Sequence, residues 1–495
     1  GGSAGCVLAR RLSEEGTTLM LEAGSRDWLP VWKIPLASIM YGVLLSKKYN
    51  WRYSSEPEPF LNNRRIYQPR GKVLGGSGTI NGMIWVRGHP NDYNHWADVA
   101  GDMTWSYDSF KEYLSKVENA TVQGKNRGKS GRMHVSKLAW RHPLSETFLE
   151  ACQQYGLDLV EDFHHGSNTH GVGFYELAQK NGARVSTRHA YIPEPIPNLT
   201  IECDAVVNRI LIENGRAVGV QWNDSQRAFV NSEVILAGGV FGSPQILMLS
   251  GIGPPDHLRA HGIQCVAPLN GVGKNLQDHL DVGVQFENPS RESLGFSPWA
   301  IPLVARSPFQ YLFGQGILTS NGVDAGGYVW SDASESGYQD IQLHFFPGSF
   351  RDYKVEGLFG HYFGLNAYLS RPFSRGAAQL QSASPHDHLK LQFNFLQDVR
   401  DRKALISAVR QVRQIVQQPA FDGKRGREVG NLGDSDEQVL EFIKANCKSA
   451  HHPVGTCKMG STSDSMAVVD GSLQVFGIDG LRVADASIFP SHTTS

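Results

Sequence analysis

In "DRKALISAVRQVRQIVQQ", Leu405, Val409, Val412 and Val416 fall at i, i+4, i+7 and i+11, a spacing that gathers apolar side chains on one face of a helix. A second helix opens at "SDEQVLEFIKANC", where Ser435 and Gln438 have the spacing of a capping box. It closes before His451 and His452, leaving that pair in a loop. Ahead of these helices the pattern changes. From Asp281 onward "DVGVQFE", "GGYVW", "IQLHFFP", "GLNAYLS", "AAQLQSA" and "LKLQFNFL" are short apolar runs, several alternating with period two and separated by Pro, Gly, Ser and Asp. They predict an antiparallel sheet with the first helix laid on it. Near the start, Val7, Leu8 and Leu12 make a helical face that Gly16 stops, and a strand "TTLMLEAG" follows. The stretch "NSEVILAGGVFGSPQILMLSGIGP" (Asn231–Pro254) reads as a buried strand, a Gly-Gly turn and a helix starting near Ser243 and Pro244. Serine would be its cap and proline its first helical residue.

The chain has 495 residues, which corresponds to about three domain-sized units or two large ones. A formal net charge of -1, without a basic stripe or charged tail, excludes nucleic acid as a partner and points to small molecules. Six cysteines (Cys6, Cys152, Cys203, Cys265, Cys447, Cys457) lack paired spacing, so free thiols are expected. His164-His165 and His451-His452, with Cys447 and Cys457, lack metal-ligand spacing, and no metal is expected. The apolar run Ile34–Leu45 contains Pro35 and Gly42 and ends at Lys47-Lys48, too short for a transmembrane segment. A cytoplasmic or peripheral membrane location is expected rather than secretion.

Glycine changes the picture more. It supplies 53 of 495 residues, roughly 11% against an average near 7%, and the excess is clustered. Gly2 and Gly5 have the spacing of the last two glycines of G-x-G-x-x-G, and Glu22 lies 20 residues after Gly2. There a carboxylate can accept from ribose hydroxyls while the helix N-terminus faces a pyrophosphate. Taken alone, this stretch reads equally well as a Gly-rich helix start with a surface glutamate. Two further clusters, in "YQPRGKVLGGSGTINGMIWVRG" (Tyr67–Gly88) and around Gly238-Gly239, outweigh that alternative. The strand and first glycine that should precede the fingerprint are absent, so a chain continuing beyond its first residue is expected.

The motifs "RGKVLGGSGTINGMIWVRG", "GSPQILMLSGIGP", "GVGKNLQDH", "HPVGTCKMG" and "LRVADASIFP", in that order, resemble those of the glucose-methanol-choline family of FAD-dependent oxidoreductases. The likeness runs over almost the whole chain and is greatest toward the choline dehydrogenase and alcohol dehydrogenase branch. It implies an α/β fold: a discontinuous, Rossmann-like FAD-binding domain (1–137, 185–284 and 437–495) and an α+β substrate domain with an antiparallel sheet (138–184 and 285–436). Gly2, Gly5 and Glu22 would hold the ADP half of FAD. Val73, Gly75, Gly76, Asn81, Gly82, Met83 and Ile84 would lie along pyrophosphate and isoalloxazine. Val207 would meet adenine through its backbone, and Asp485-Ala486 would approach the ribityl chain and pyrophosphate. Some members attach FAD through a histidine just before the asparagine; Ile80 stands there, which implies non-covalent FAD.

A residue before proline is held extended, so His452 should be extended ahead of Pro453, and neighbouring extended residues point to opposite sides. Geometry leaves the choice between His451 and His452 open. The resemblance selects His452, before the P-x-G-T step, as the catalytic base, with His451 packed behind it or against a helix. An imidazole suits proton abstraction from an alcohol near neutral pH. The family's second polar residue would fall at or just past Ser495, and His492 sits too near "ASIFP" to match it. Asp324 is placed where some relatives carry a glutamate near a cationic head group, while Asp278 and His279 read as a hydrogen-bonded turn. The implied activity is oxidation of a primary alcohol to the aldehyde, with oxygen, a quinone or another carrier as electron acceptor. The alternatives are a non-redox lyase on the same scaffold and a nucleotide-binding protein without catalysis.

Overall fold

The first glycine turn leads into the helix Ser3–Leu12 and then the strand Thr18–Leu21, which pairs in parallel with Leu199–Glu202. Parallel pairing requires a long crossover, and the 177 residues between these strands supply it. A second parallel pair joins Val234–Leu236 to Leu481–Val483. The antiparallel ribbon Val207–Glu213, Arg216–Trp222, Gln226–Phe229 lies between these strands in the sequence. The computed structural model describes residues 1–495 except 125, 165–169, 194, 296, 299–300, 335–338, 350–359, 431 and 495. His165 and Ser495, both named above, lie outside the described residues.

The second region is a six-stranded sheet in the order Ala325–Val329, Ile341–Phe346, Tyr362–Leu369, Leu280–Glu287, Glu428–Val429, with Lys448–Ser449 also paired to Leu280–Glu287. Four of the expected strands are here. The other two, "AAQLQSA" and "LKLQFNFL", form a separate ribbon, Ala377–Gln379 with Lys390–Gln392. Their period-two pattern identified them as strands but carries no information about partners. The expected domain boundary at 284/285 falls inside the strand Leu280–Glu287.

This sheet is buried on both faces. Leu280, Val282, Val284, Leu343, Phe345, Leu365 and Ala367 point to one side and pack beneath the helix Val399–Val416, which buries Leu405, Val409, Val412 and Val416. By the alternation of strand side chains, the other side carries Asp281, Gln342, His344, Asn366 and Tyr368, all nearly inaccessible. A polar face is expected to meet solvent; this one is enclosed. The helix Asp436–Asn446 has the capping box read from Ser435 and Gln438.

One helix starts earlier than the sequence suggests. It runs Gly239–Leu249, with Pro244 in its interior rather than at its first position. Asp485, 246 residues away, accepts from Gly239 N at 2.9 Å and Ser243 Oγ at 2.5 Å, fixing the start from a distance. Pro244 has no N–H for the Val240 carbonyl; the Thr456 hydroxyl donates to it instead, at 2.6 Å. The two motifs "GSPQ" and "HPVGT" are thus complementary. Thr456→Val should cost about 1–3 kcal/mol, the usual penalty for an unsatisfied buried acceptor. The cost should shrink in a Pro244→Ala background, where the substituted residue restores the N–H; urea unfolding of the four proteins checks it.

Candidate active site

The three glycine clusters meet. Gly76 has φ +56, and a Cβ there would lie 2.7 Å from Gly2 Cα, so only glycine permits this contact. Gly75 N donates to Gly1 O at 2.7 Å. Gly24 lies so close to Lys72 and Val73 that a Cβ would sit 2.0 Å from the Lys72 carbonyl carbon. Gly5 faces Ala237, at the head of the third cluster, within ordinary contact distance.

The helix Ser3–Leu12 starts at Gly2 with no side-chain cap, so its first-turn N–H groups are presented as an anion site. Glu22, nearly buried at the end of its strand, accepts from Gly24 N at 2.7 Å. Its carbonyl accepts from Ala205 N, which brings the segment entering Val207 beside it. A closely approached glycine cradle, an uncapped helix N-terminus and a carboxylate one strand away fit the pyrophosphate and ribose of FAD.

The remaining expected cofactor residues divide by role. Asn81 and Gly82 are exposed on the rim. Arg184 holds the rim from behind, donating to Asn81 Oδ1 at 2.7 Å and Asn81 O at 2.6 Å. Met83 N also donates to Asn81 Oδ1, and Asn321 Nδ2 donates to Gly82 O at 2.7 Å. Met83 itself is buried with φ +59, a strained conformation for a long side chain. Val73 is fully buried and presents only backbone, while Ile84 is half-buried. Asp485 is engaged as the cap described above, and the Ala486 carbonyl accepts from Gly455 N at 3.1 Å. That bond ties the "HPVGT" loop to the cradle.

His452 and His451 make separate contacts, but not by the expected alternation of extended residues, because the His451 backbone is left-handed. His451 has φ +68; its ring approaches Tyr67 edge-on at 6.5 Å, and its carbonyl accepts from the Arg70 guanidinium. His452 turns the other way, its Nδ1 3.2 Å from His279 Nδ1. The His279 ring lies against that of His492, centroids 3.8 Å apart. His344, on the polar face of the sheet, packs on Tyr368 at 4.4 Å.

Behind His452 stands Asp278. It accepts from the His452 backbone N at 2.9 Å, from Gln68 Nε2 at 2.8 Å and from the Ser449 hydroxyl. On the same strand face as His279 is Asp281, which accepts from Asn366 Nδ2 at 2.9 Å and lies 3.6 Å from Lys448 Nζ.

Burial dominates the electrostatics. It holds the His452 imidazole down at about 4, assisted by the positive charge of Arg70. Burial and the neighbouring His452 depress both His279 and His344 to about 3. It raises Asp278 and Asp281 to about 6 against their hydrogen-bond and charge partners. His452 retains accessible surface, while the surrounding protein replaces part of its hydration. At neutral pH it is an uncharged base.

Two sequence expectations change here. Asp324 is fully buried and accepts from His142 N at 2.7 Å, Ser145 Oγ at 3.3 Å and Ser320 Oγ at 3.0 Å. The His142 imidazole caps the helix Pro143–Tyr155, and the Asp324 carboxylate holds that cap residue in place rather than facing outward to a substrate. His492, set aside on its distance from the motif position, belongs to the imidazole cluster. His279 and His344 were missed as site residues; the signal was a polar residue at every second position of otherwise apolar strands, in "DHLDVGV" and "IQLHFF".

The chain matches the family model for GMC oxidoreductases in two parts, over residues 1–281 and 372–495. It is 41% identical to an oxygen-dependent choline dehydrogenase of Rhizobium etli, over 100% of this chain and 90% of that protein. Among solved structures it is similar to the pyridoxine 4-oxidase of Mesorbium loti, with TM-score 0.88 and 28% identity over 100% of this chain and 94% of that one. It is also similar to a formate oxidase variant of Aspergillus oryzae RIB40, studied for FAD modification, with TM-score 0.91 and 26% identity over 100% and 93%.

Gly76→Ala forces its Cβ against the Gly2 backbone, and the purified variant should carry markedly less flavin per chain, read from its visible spectrum. The acid limb of stability is set by the buried imidazoles. Between the ordinary 6.5 and the folded value of about 3 for His279 and His344, with His492 also held well below 6.5, the unfolded state binds the extra protons, so stability falls as pH drops. Asp278 and Asp281 oppose this between 3.8 and about 6, where the folded state binds the proton. The imidazoles outnumber them. The urea midpoint should therefore fall from pH 7 to pH 5, and fall less in His344→Asn.

Proposed function

Because the chain belongs to the GMC oxidoreductase family, an FAD-dependent group acting on CH–OH donors, we propose that it oxidises a primary alcohol to the aldehyde with His452 as the base. The observation that carries this reading is the accessible His452, its backbone N–H held by Asp278 at 2.9 Å and its Nδ1 held 3.2 Å from His279 Nδ1; burial by the surrounding protein keeps the ring uncharged at neutral pH. FAD, when bound, supplies the chemistry the side chains lack, its N5 taking the hydride that leaves the carbinol carbon. The hydroxyl proton goes to His452, so that two electrons and two protons leave the alcohol in all.

The chain's own residues do the rest. The bond between His452 and His279 fixes which nitrogen faces the substrate, since one of the two Nδ1 atoms must carry the hydrogen. Asp278 holds the His452 backbone, and Arg70 holds the preceding carbonyl, so the ring cannot swing away. The enclosed polar wall around His344, Asn366 and Tyr368 excludes bulk water and orients a small polar molecule. Asp281, held by Asn366 and Lys448, stands in the same wall, and a cationic alcohol such as choline, the substrate in the name of the Rhizobium etli relative, belongs in the panel of substrates to be tried. Ile80 is buried against Gly42 and has no nucleophilic atom, which supports non-covalent FAD. The electrons would pass on to oxygen, a quinone or another carrier.

Anaerobic mixing of the FAD-loaded protein with choline and with aliphatic and aromatic primary alcohols should bleach the visible flavin absorbance for at least one of them. His452→Ala should retain flavin while turnover falls about 10²–10⁴-fold, the usual contribution of a positioned base. A flavin that stays oxidised across the whole panel would overturn the proposal, and cyanohydrin cleavage without bleaching would show the lyase.

A further inference from the structure

The helix Ile301–Leu312 is inverted relative to a normal surface helix. Ser307 is its buried position, and Leu303, Gln310 and Tyr311 are half-buried. Ile301, Val304, Phe309 and Leu312, spaced i, i+3, i+8 and i+11 along one stripe, face outward, followed by Phe313. Phe309 is 66% exposed, Leu312 79% and Phe313 67%. The segment 28–49 lies beside it: Tyr311 OH donates to the Lys33 carbonyl at 3.0 Å, and Ile317–Thr319 packs on both the helix and Pro35–Ile39. It adds Trp28 at 79% exposure and Leu45 at 57%.

Charge distinguishes this face from an ordinary apolar patch. Segments 28–49 and 301–319 contain Lys33, Lys47, Lys48 and Arg306, all exposed, and no Asp or Glu, in a chain whose net charge is -1. The nearest carboxylate in sequence, Asp27, is bound by Arg188 and His189. An exposed apolar helical stripe, an exposed tryptophan on the neighbouring segment and a one-sided set of cations are what an anionic lipid surface complements: side chains enter the acyl boundary, and ammonium groups meet the headgroups. No helix among the described residues is long and apolar enough to cross a membrane, so the contact would be interfacial. The same region reaches the cofactor rim, since Asn321 holds the Gly82 carbonyl.

We propose that the helix Ile301–Leu312 and the segment 28–49 form a docking face for the surface of an anionic lipid bilayer. The test is flotation of the full-length FAD-loaded protein with vesicles of phosphatidylcholine, with and without about one third phosphatidylglycerol. The protein should float with the anionic vesicles, less with the neutral ones, and less in high salt. Phe309→Asp with Leu312→Asp should lower the floated fraction at least tenfold. Lys47→Glu with Lys48→Glu should lower it on anionic vesicles only. Flavin content and the thermal unfolding midpoint should stay those of the parent. Tryptophan fluorescence quenched by brominated lipids in the parent but not in Trp28→Tyr would place this face at the bilayer. A parent protein that stays with the lipid-free fraction, or an aspartate variant that floats equally well, overturns the proposal. So does a dimer in sedimentation that Leu312→Asp dissolves without any vesicle binding, since the face would then belong to a second copy.

Discussion

A carboxylate taken out of water must be given donors, and the buried Asp278 takes its donors from segments remote in sequence. Gln68 comes from the strand leading to the second glycine cluster, Ser449 from the short strand after the helix Asp436–Asn446, and His452 from the loop beyond it. Arg70 adds its charge and grips the His451 carbonyl. Leaving any of these donors out would strand a charged oxygen in the interior. The position of the reactive imidazole therefore follows from satisfying one buried group, and the glycine cradle, which begins shortly after Gln68, is held to the same point.

The same logic explains the second tether. Pro244 removes a helical hydrogen bond, and Thr456 supplies it; the N-terminus of that helix needs a cap, and Asp485 provides one. Each side of the cofactor cleft thus ends on a polar atom that only the other side can satisfy. The catalytic loop and the cradle are built as one unit, although their parts are drawn from opposite ends of the chain.

The antiparallel sheet contributes by being polar where it is enclosed. Its apolar face lies under the helix Val399–Val416, as an amphipathic partner requires. Its other face brings Asp281, His344, Asn366 and Tyr368 toward the imidazoles, and burial shifts Asp281 and His344 well away from their ordinary protonation. His279 belongs to both systems: it precedes the strand, and its ring bridges His452 and His492.

Local chemistry was enough for what local chemistry governs. The capping box at Ser435, the apolar stripe from Leu405 to Val416 and the glycine turns depend on residues within a few positions of one another, and all could be read from the chain; the left-handed turn at His451, where an extended residue was expected, could not. The remaining features were set by partners far away in sequence. The helix at Gly239 begins where Asp485 caps it, and the carboxylate of Asp324 is used up by His142 and Ser320. His492 joins His279 from the far end of the chain. A sequence lists donors and acceptors in order, but only the tertiary structure decides which of them meet, because each buried polar group is satisfied by whatever the fold brings within about three ångströms.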